Sequence, residues 1–574
     1  MQSLAVIAAN DKAALNTLVA VARKGSSEAE YSVALLYDSR YNLGGNTLKN
    51  DDAKAAFWYR KAAEQGYAPA QSNLGVDYLY SLGEPRDYRR ALIWFRKAAA
   101  QGNDGGQYNL GMTYDSGYGV PVDHEKAARW YLKAAEQGHV LAQYYLGSDY
   151  EDGQGVSQDY QQAREWYRRA ADSGYAPAEY RLGLIYENGY GVAQDYAHAA
   201  LWYRRAAEVT YVDAEAALGD FYYDGKGVVK DYSQAAYWYQ KAAEQGNEYA
   251  QFDLGTMYEA GQGVAQDYQQ AFAWYHKAAD QGYAEAQFNL GSLYENGKGV
   301  PQDYSQAAHW YQNAAHQGHK SAQNNLGYLY AHGRGVKQNY GEAANWYLKS
   351  AEQSDAHAQN NLGLQYEKGQ GVPQDYQESI FWFEKSAEQG NEYAQYNLGW
   401  AYAYGEGVKQ DYQQAAVWYR KAAEQGDADA QHALGILYAN GQGMPQDFRQ
   451  AVVWYQKAAE QGLASAENTL AIAYGRGQGV KQDYKLAMVW FQKAADQGNP
   501  DAQRNLGLSY GYAYGVPKDD AQAIKWLLLA KKAGNTQAAE NLSDIEHHAT
   551  AFQIDQGQKL AGQWLAEYKS ESIK

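Results

Sequence analysis

Cysteine is absent from all 574 residues. That excludes disulfides, thiolate zinc sites and cysteine nucleophiles. Proline is scarce, at 9 residues, and no apolar run approaches the ~18 residues that a spanning helix needs; mean hydropathy is −0.70. Positive charge is in deficit, with 50 Lys+Arg against 67 Asp+Glu and a net charge of −17. Phosphate binding needs a Lys/Arg surplus, so a nucleic-acid partner is not expected. The stretch Met1–Asp11 has no basic residue and only a short Ala-rich apolar segment. No secretory signal is expected there, and the expected location is cytoplasmic, or periplasmic or secreted if a leader has been removed.

What the chain has instead is tyrosine, glycine and a strict rhythm. Fourteen of the 16 tryptophans, from Trp58 to Trp526, follow one another at steps of 36 residues, and only Trp400 and Trp564 lie off this ladder. A fixed period of that size means a solenoid, a propeller or an array. The unit from Ala284 to Gly318 decides which. Ala286, Leu290 and Tyr294 are four apart and Leu293 joins their stripe, which is helical spacing. Gly297 and Gly299 follow; Gly297 can take the left-handed conformation that ends a helix. Asp303 can cap the next helix, with Gln306 as reciprocal partner. Ala307, Trp310, Tyr311, Ala314 and Ala315 then form the apolar stripe of an amphipathic helix, closed by Gly318. Each unit is thus a helix of about three turns, a glycine-rich loop and a slightly longer second helix. Small residues such as Gly291 with Ala307, and Gly255 with Ala271, recur where the helices approach, and the Trp is expected to fill the gap they leave. Burying such a ring removes ~150–250 Å² from water, an upper bound of ~4–6 kcal/mol per repeat.

These residues resemble the Sel1-like repeat family, a relative of the tetratricopeptide repeat. Ala394 to Gly426 carries the family pattern almost letter for letter, including Ala394-Gln395, Leu398-Gly399, Gly405-Glu406-Gly407-Val408, Trp418-Tyr419 and Ala422-Ala423-Glu424-Gln425-Gly426. The resemblance covers 27–534 and implies an all-α, right-handed superhelical solenoid of antiparallel helix pairs. It is flanked by an N-terminal half-repeat cap over 1–26 and C-terminal capping helices over 535–574. The first repeat carries five extra residues between Tyr37 and Trp58. Thr210 and Ser354 replace closing glycines, where small bends are expected, Ala513 replaces a loop glycine, and Asn339 replaces the capping Asp.

In tetratricopeptide-like arrays the first helices line the concave face, which places three variable slots there. The first holds Tyr108, Tyr144, Tyr180, Phe252, Phe288 and Tyr396, then His432, Asn468 and Arg504. The second holds Trp400, Ile436, Ile472 and Leu508. The third holds Asp115, Glu151, Glu187, Glu259, Glu295 and Glu367, then Ala403, Ala439, Gly475 and Gly511. An acidic, aromatic trough suits an extended peptide carrying Lys or Arg, and Trp400 among small residues reads as an anchor pocket. The competing role for these rings is packing against the next repeat.

The Gly-x-Gly pairs do not continue into a phosphate-binding motif and read as helix-ending turns. His309, His316, His319 and His332, and the adjacent His547-His548, do not read as a metal site. Carboxylates on a solvated groove face have no reason to split their pKa values for acid–base work. Members of the resembled family described as binding or hydrolysing β-lactams are cysteine-rich, so that activity is not carried over. The expected function is a non-enzymatic, monomeric scaffold, without cofactor or metal, that binds extended segments or domains of other proteins. The alternative is a glycan or peptidoglycan binder that uses Tyr108, Tyr144, Tyr180, Phe252 and Phe288 as stacking platforms. The resemblance implies bacterial envelope, signalling or host-interaction roles without choosing among them.

Overall fold

The computed structural model describes residues 8–9, 11–41 and 50–571. Among them lie 31 helices and no strand. The five-residue insertion expected in the first repeat falls largely on 42–49, outside the described residues, as do 1–7 of the N-terminal stretch. The chain forms two compact parts, Met1–Tyr283 and Ala284–Lys574. Each is an α-helical solenoid of the hairpins expected.

The unit from Ala284 shows how. Its helices are Ala284–Asn296 and Tyr304–His316, both thirteen residues long, so the second is not the longer. Gly297 and Gly299 sit at φ 66° and 72° and turn the chain between them. The Asp303 carboxylate accepts from the amides of Ser305 and Gln306, at 2.8 and 3.1 Å, which satisfies two of the donors that a helix start leaves open. Asn339 caps its helix in the same way, accepting from Gly341 and Glu342. Thr210, Ser354 and Ala513 adopt φ 62°, 62° and 60°, the left-handed conformation of the glycines they replace.

Packing inside the hairpin corrects one expectation. The ring over the glycine is the tyrosine that follows the Trp, not the Trp itself. A methyl added at Gly291 would lie 2.7 Å from Tyr311 Cδ1, and one at Gly147 would lie 2.8 Å from Tyr167 Cδ1. Neighbouring positions on a helix point ~100° apart, so Tyr faces its own first helix while Trp faces the preceding hairpin. Trp166 packs with Ala127, Tyr131 and Ala134 of the hairpin before it and with Ala142 and Leu146 of its own. Trp346 does the same with Ala308, Tyr311 and Leu326. The indole is therefore the wedge between hairpins, and the phenol is the wedge within one.

A polar spine runs beside this core. The buried Gln323 donates to the Ala315 carbonyl at 3.1 Å and accepts from Gln353 at 2.8 Å. The same pair of bonds recurs at Gln251, which donates to Ala243 and accepts from Gln281, and at Gln395, which donates to Ala387 and accepts from Gln425. Lys12–Arg23 starts on Asp11, whose carboxylate accepts from Ala13 at 2.8 Å. Ala538–His548 and Ala551–Glu571 finish the second part, with Trp564 against Trp526 at 6.0 Å.

Candidate functional site

The third-slot carboxylates are not a free solvated stripe, as had been expected. They are half-buried, and most accept a hydrogen bond from the hydroxyl of the glycine-covering tyrosine. Tyr167 donates to Glu151 at 2.6 Å, Tyr203 to Glu187 at 2.5 Å, Tyr275 to Glu259 at 2.8 Å and Tyr311 to Glu295 at 2.6 Å. Where Tyr223 takes the slot, Asp220 accepts from Tyr239 instead, at 2.6 Å. Asp115 lies 2.7 Å from His124 Nδ1. A buried phenol needs an acceptor, and the slot supplies one.

The first-slot rings are half-buried against neighbours. Tyr108 stacks on His139 at 4.6 Å and reaches Tyr145 at 6.0 Å. Tyr144 lies 5.3 Å from Tyr175, Tyr180 5.5 Å from Tyr211 and Phe252 5.2 Å from Tyr283. Phe288 stacks on His319 at 4.6 Å. Each also touches the tyrosine of its own hairpin.

Tyr396 and Trp400 come together, with ring centroids 6.5 Å apart, and Trp400 meets Tyr404 at 4.1 Å. Trp400 is 38% exposed. Beside them opens a cavity of about 420 Å³, lined also by Ala403, Tyr419, Asp429, His432 and Ile436. Its origin is the third slot. Glu295 reaches across to Tyr311; its counterpart is Ala403, facing Tyr419 with nothing in between to fill the volume. Burial pushes Tyr396 up to about 12 and lowers His432 below its ordinary value, so both groups are neutral at pH 7. Asp429 on the rim is exposed and supplies negative charge. Sequence reasoning had Trp400, Ala403, His432 and Ile436 in the groove but missed Tyr404, Tyr419 and Asp429. The change from Glu to Ala at position 403 was the signal.

Among the described residues no three His, Asp or Glu side chains are grouped to hold a metal ion, and no helix is long and apolar enough to cross a membrane.

The Sel1 repeat pattern matches fourteen segments. They are 27–67, 68–103, 105–139, 140–175, 176–209, 212–247 and 248–283, then 284–319 to 500–535 in steps of 36 residues. The chain belongs to the Sel1 repeat family. A solved relative, a protective antigen present in uropathogenic Escherichia coli strains and displaying an SLR fold, is 40% identical, with a TM-score of 0.72 over 77% of this chain and 95% of its own. A Sel1 repeat protein from Oxalobacter formigenes is 37% identical, with a TM-score of 0.44 over 53% of this chain and 89% of its own. No curated protein matches. Sel1 repeat proteins are generally protein-interaction scaffolds and typically non-enzymatic.

Proposed function

We propose that this Sel1 repeat protein is a non-enzymatic scaffold that binds extended segments of other proteins along its first helices, with the cavity beside Trp400 as the anchor. The observation that supports this reading is the cavity itself. It combines an exposed indole, four tyrosines (Tyr396, Tyr404, Tyr412 and Tyr419) and a rim carboxylate, in a place that Glu295 fills in its own repeat. An apolar or lysine-bearing side chain gains burial from the rings, cation–π contact from Trp400 and ion pairing from Asp429. In the second part Phe288 adds a weaker contact surface, because the carboxylate beside it is engaged by tyrosine; in the first part the rings Tyr108, Tyr144, Tyr180 and Phe252 offer a separate surface of the same weaker kind. The glycan reading draws less support, since Tyr108 and Phe288 each have a face stacked on histidine.

The test is fluorescence anisotropy of a labelled decapeptide alternating leucine with lysine. Trp400→Ala is expected to weaken binding at least about tenfold, as for a central aromatic anchor, and rising salt is expected to weaken the wild type further. Equal affinity for wild type and Trp400→Ala overturns the assignment.

A further inference from the structure

A second cavity, of opposite character, lies two repeats further on. A space of about 420 Å³ is lined from helices Ala464–Arg476, Tyr484–Asp496 and Pro500–Gly511. Two coincident replacements make it. The third-slot residue is Gly475, and the ring it would face is Phe491 rather than tyrosine. A methyl group added at Gly475 would meet only Ala487 Cβ, at 3.9 Å. The carboxylate and the hydroxyl that close this space between Glu295 and Tyr311 are therefore both gone, and Ile472, Phe491 and Leu508 give the space an apolar lining.

Two guanidinium groups share that lining, Arg476 and Arg504. Arg504 occupies the first slot, where most other repeats carry Tyr, Phe or Asn and none carries a lysine or another arginine. Its Nε donates to Asn541 Oδ1 at 2.8 Å and its Nη1 approaches Asn505 Oδ1 at 3.4 Å. These bonds hold the side chain in place and keep Nη2 available. Arg476 is exposed. Among the described residues neither arginine enters an ion pair. The one carboxylate on the lining, Asp501, is exposed and accepts from Asn535 at 2.7 Å.

The geometry points to a binding site for a peptide segment that sets a carboxylate beside a leucine-sized side chain. The apolar part is buried against Ile472, Phe491 and Leu508. The carboxylate meets two guanidinium groups, whose planar donors suit it better than any other side chain. A lysine in its place is repelled. This is the reverse of the Trp400 cavity, whose rim charge is Asp429, and it holds whether or not that cavity binds anything.

Two probes separate the cases at 0.15 M salt: a fluorescein-labelled decapeptide alternating leucine with glutamate, and its leucine–lysine counterpart. The acidic probe is expected to bind the full chain despite the net charge of −17, and to lose at least tenfold in affinity on Arg476→Glu with Arg504→Glu. It is expected to lose as much on Gly475→Glu with Phe491→Tyr, which restores the pair other repeats hold, and which is expected to keep or raise the melting temperature. No binding of the acidic probe, or equal binding to wild type and to the folded Gly475→Glu/Phe491→Tyr variant, overturns the proposal. A failure confined to the leucine–lysine probe counts against the Trp400 anchor alone.

Discussion

Asp149 occupies a position that is Ile185 one repeat later and Phe221 the repeat after that. It is 7% exposed, and its Oδ2 has no hydrogen-bond partner. Burial, with Asp115 and Asp152 nearby, pushes its carboxyl up to about 7. Asp77 and Asp253 are also pushed up to about 7, mainly by burial. For these acids the folded state favours the protonated form. Their contribution to stability is fully present below the ordinary carboxylate range, near ~4, and is lost as pH rises through about 7. The capping Asp51, Asp123 and Asp195 are lowered by their hydrogen bonds. Their contribution is lost only as pH falls below ~4, outside the window that matters. Burial lowers His139 and His432, which acts in the opposite direction over the same range, so the aspartate contribution is read by comparison: between pH 5.5 and pH 8 the wild type is expected to lose more thermal stability, or gain less, than Asp149→Asn. Asp149→Ile is expected to stabilise the chain by ~1–3 kcal/mol at pH 8, because an unpaired buried oxygen is removed, and by less at pH 5.5. An unchanged melt at pH 8 contradicts this reading of Asp149.

At the scale of the helix pair, stability rests on two adjacent residues with different duties. Tyr311 closes its own hairpin over Gly291, and Trp346 seals the following hairpin onto it. Lysine three residues after the Trp then covers the indole, as Lys349 does over Trp346 at 4.1 Å. Gly291→Ala is expected to destabilise by about 1–3 kcal/mol by overpacking against Tyr311, although alanine is the better helix former; urea unfolding with an unchanged midpoint contradicts it. Helix starts, helix ends and the 36-residue register were legible in the sequence because Asp303, Asn339, Gly297 and the Trp ladder act within a few residues of themselves. The division of labour between Trp346 and Tyr347 was not. It depends on which way the first helix lies, and a stripe of apolar residues does not say which edge of it faces home. For the same reason the Glu295–Tyr311 bond was invisible, since it joins residues sixteen apart on facing helices.

Over the whole molecule the repeats share one packing scheme, and their differences fall in the slots that scheme leaves free. Repeat arrays gain stability mainly from contacts between neighbours, so one slot can change without loss of the fold. The three slots were legible as variable positions, and those of the last repeats do line cavities together, Trp400 with Ile436 and Ile472 with Leu508. Their polarity was not legible, because it turns on whether the carboxylate is engaged by a tyrosine or missing. The central claim is that an absent glutamate opens the partner site. Ala403→Glu tests it most directly: the new side chain is placed to bond Tyr419 and fill the cavity beside Trp400. Measured with the leucine–lysine decapeptide, affinity is expected to fall at least about tenfold, as for loss of a central anchor, while the melting temperature holds or rises. An affinity equal to wild type in a folded Ala403→Glu variant would contradict the account.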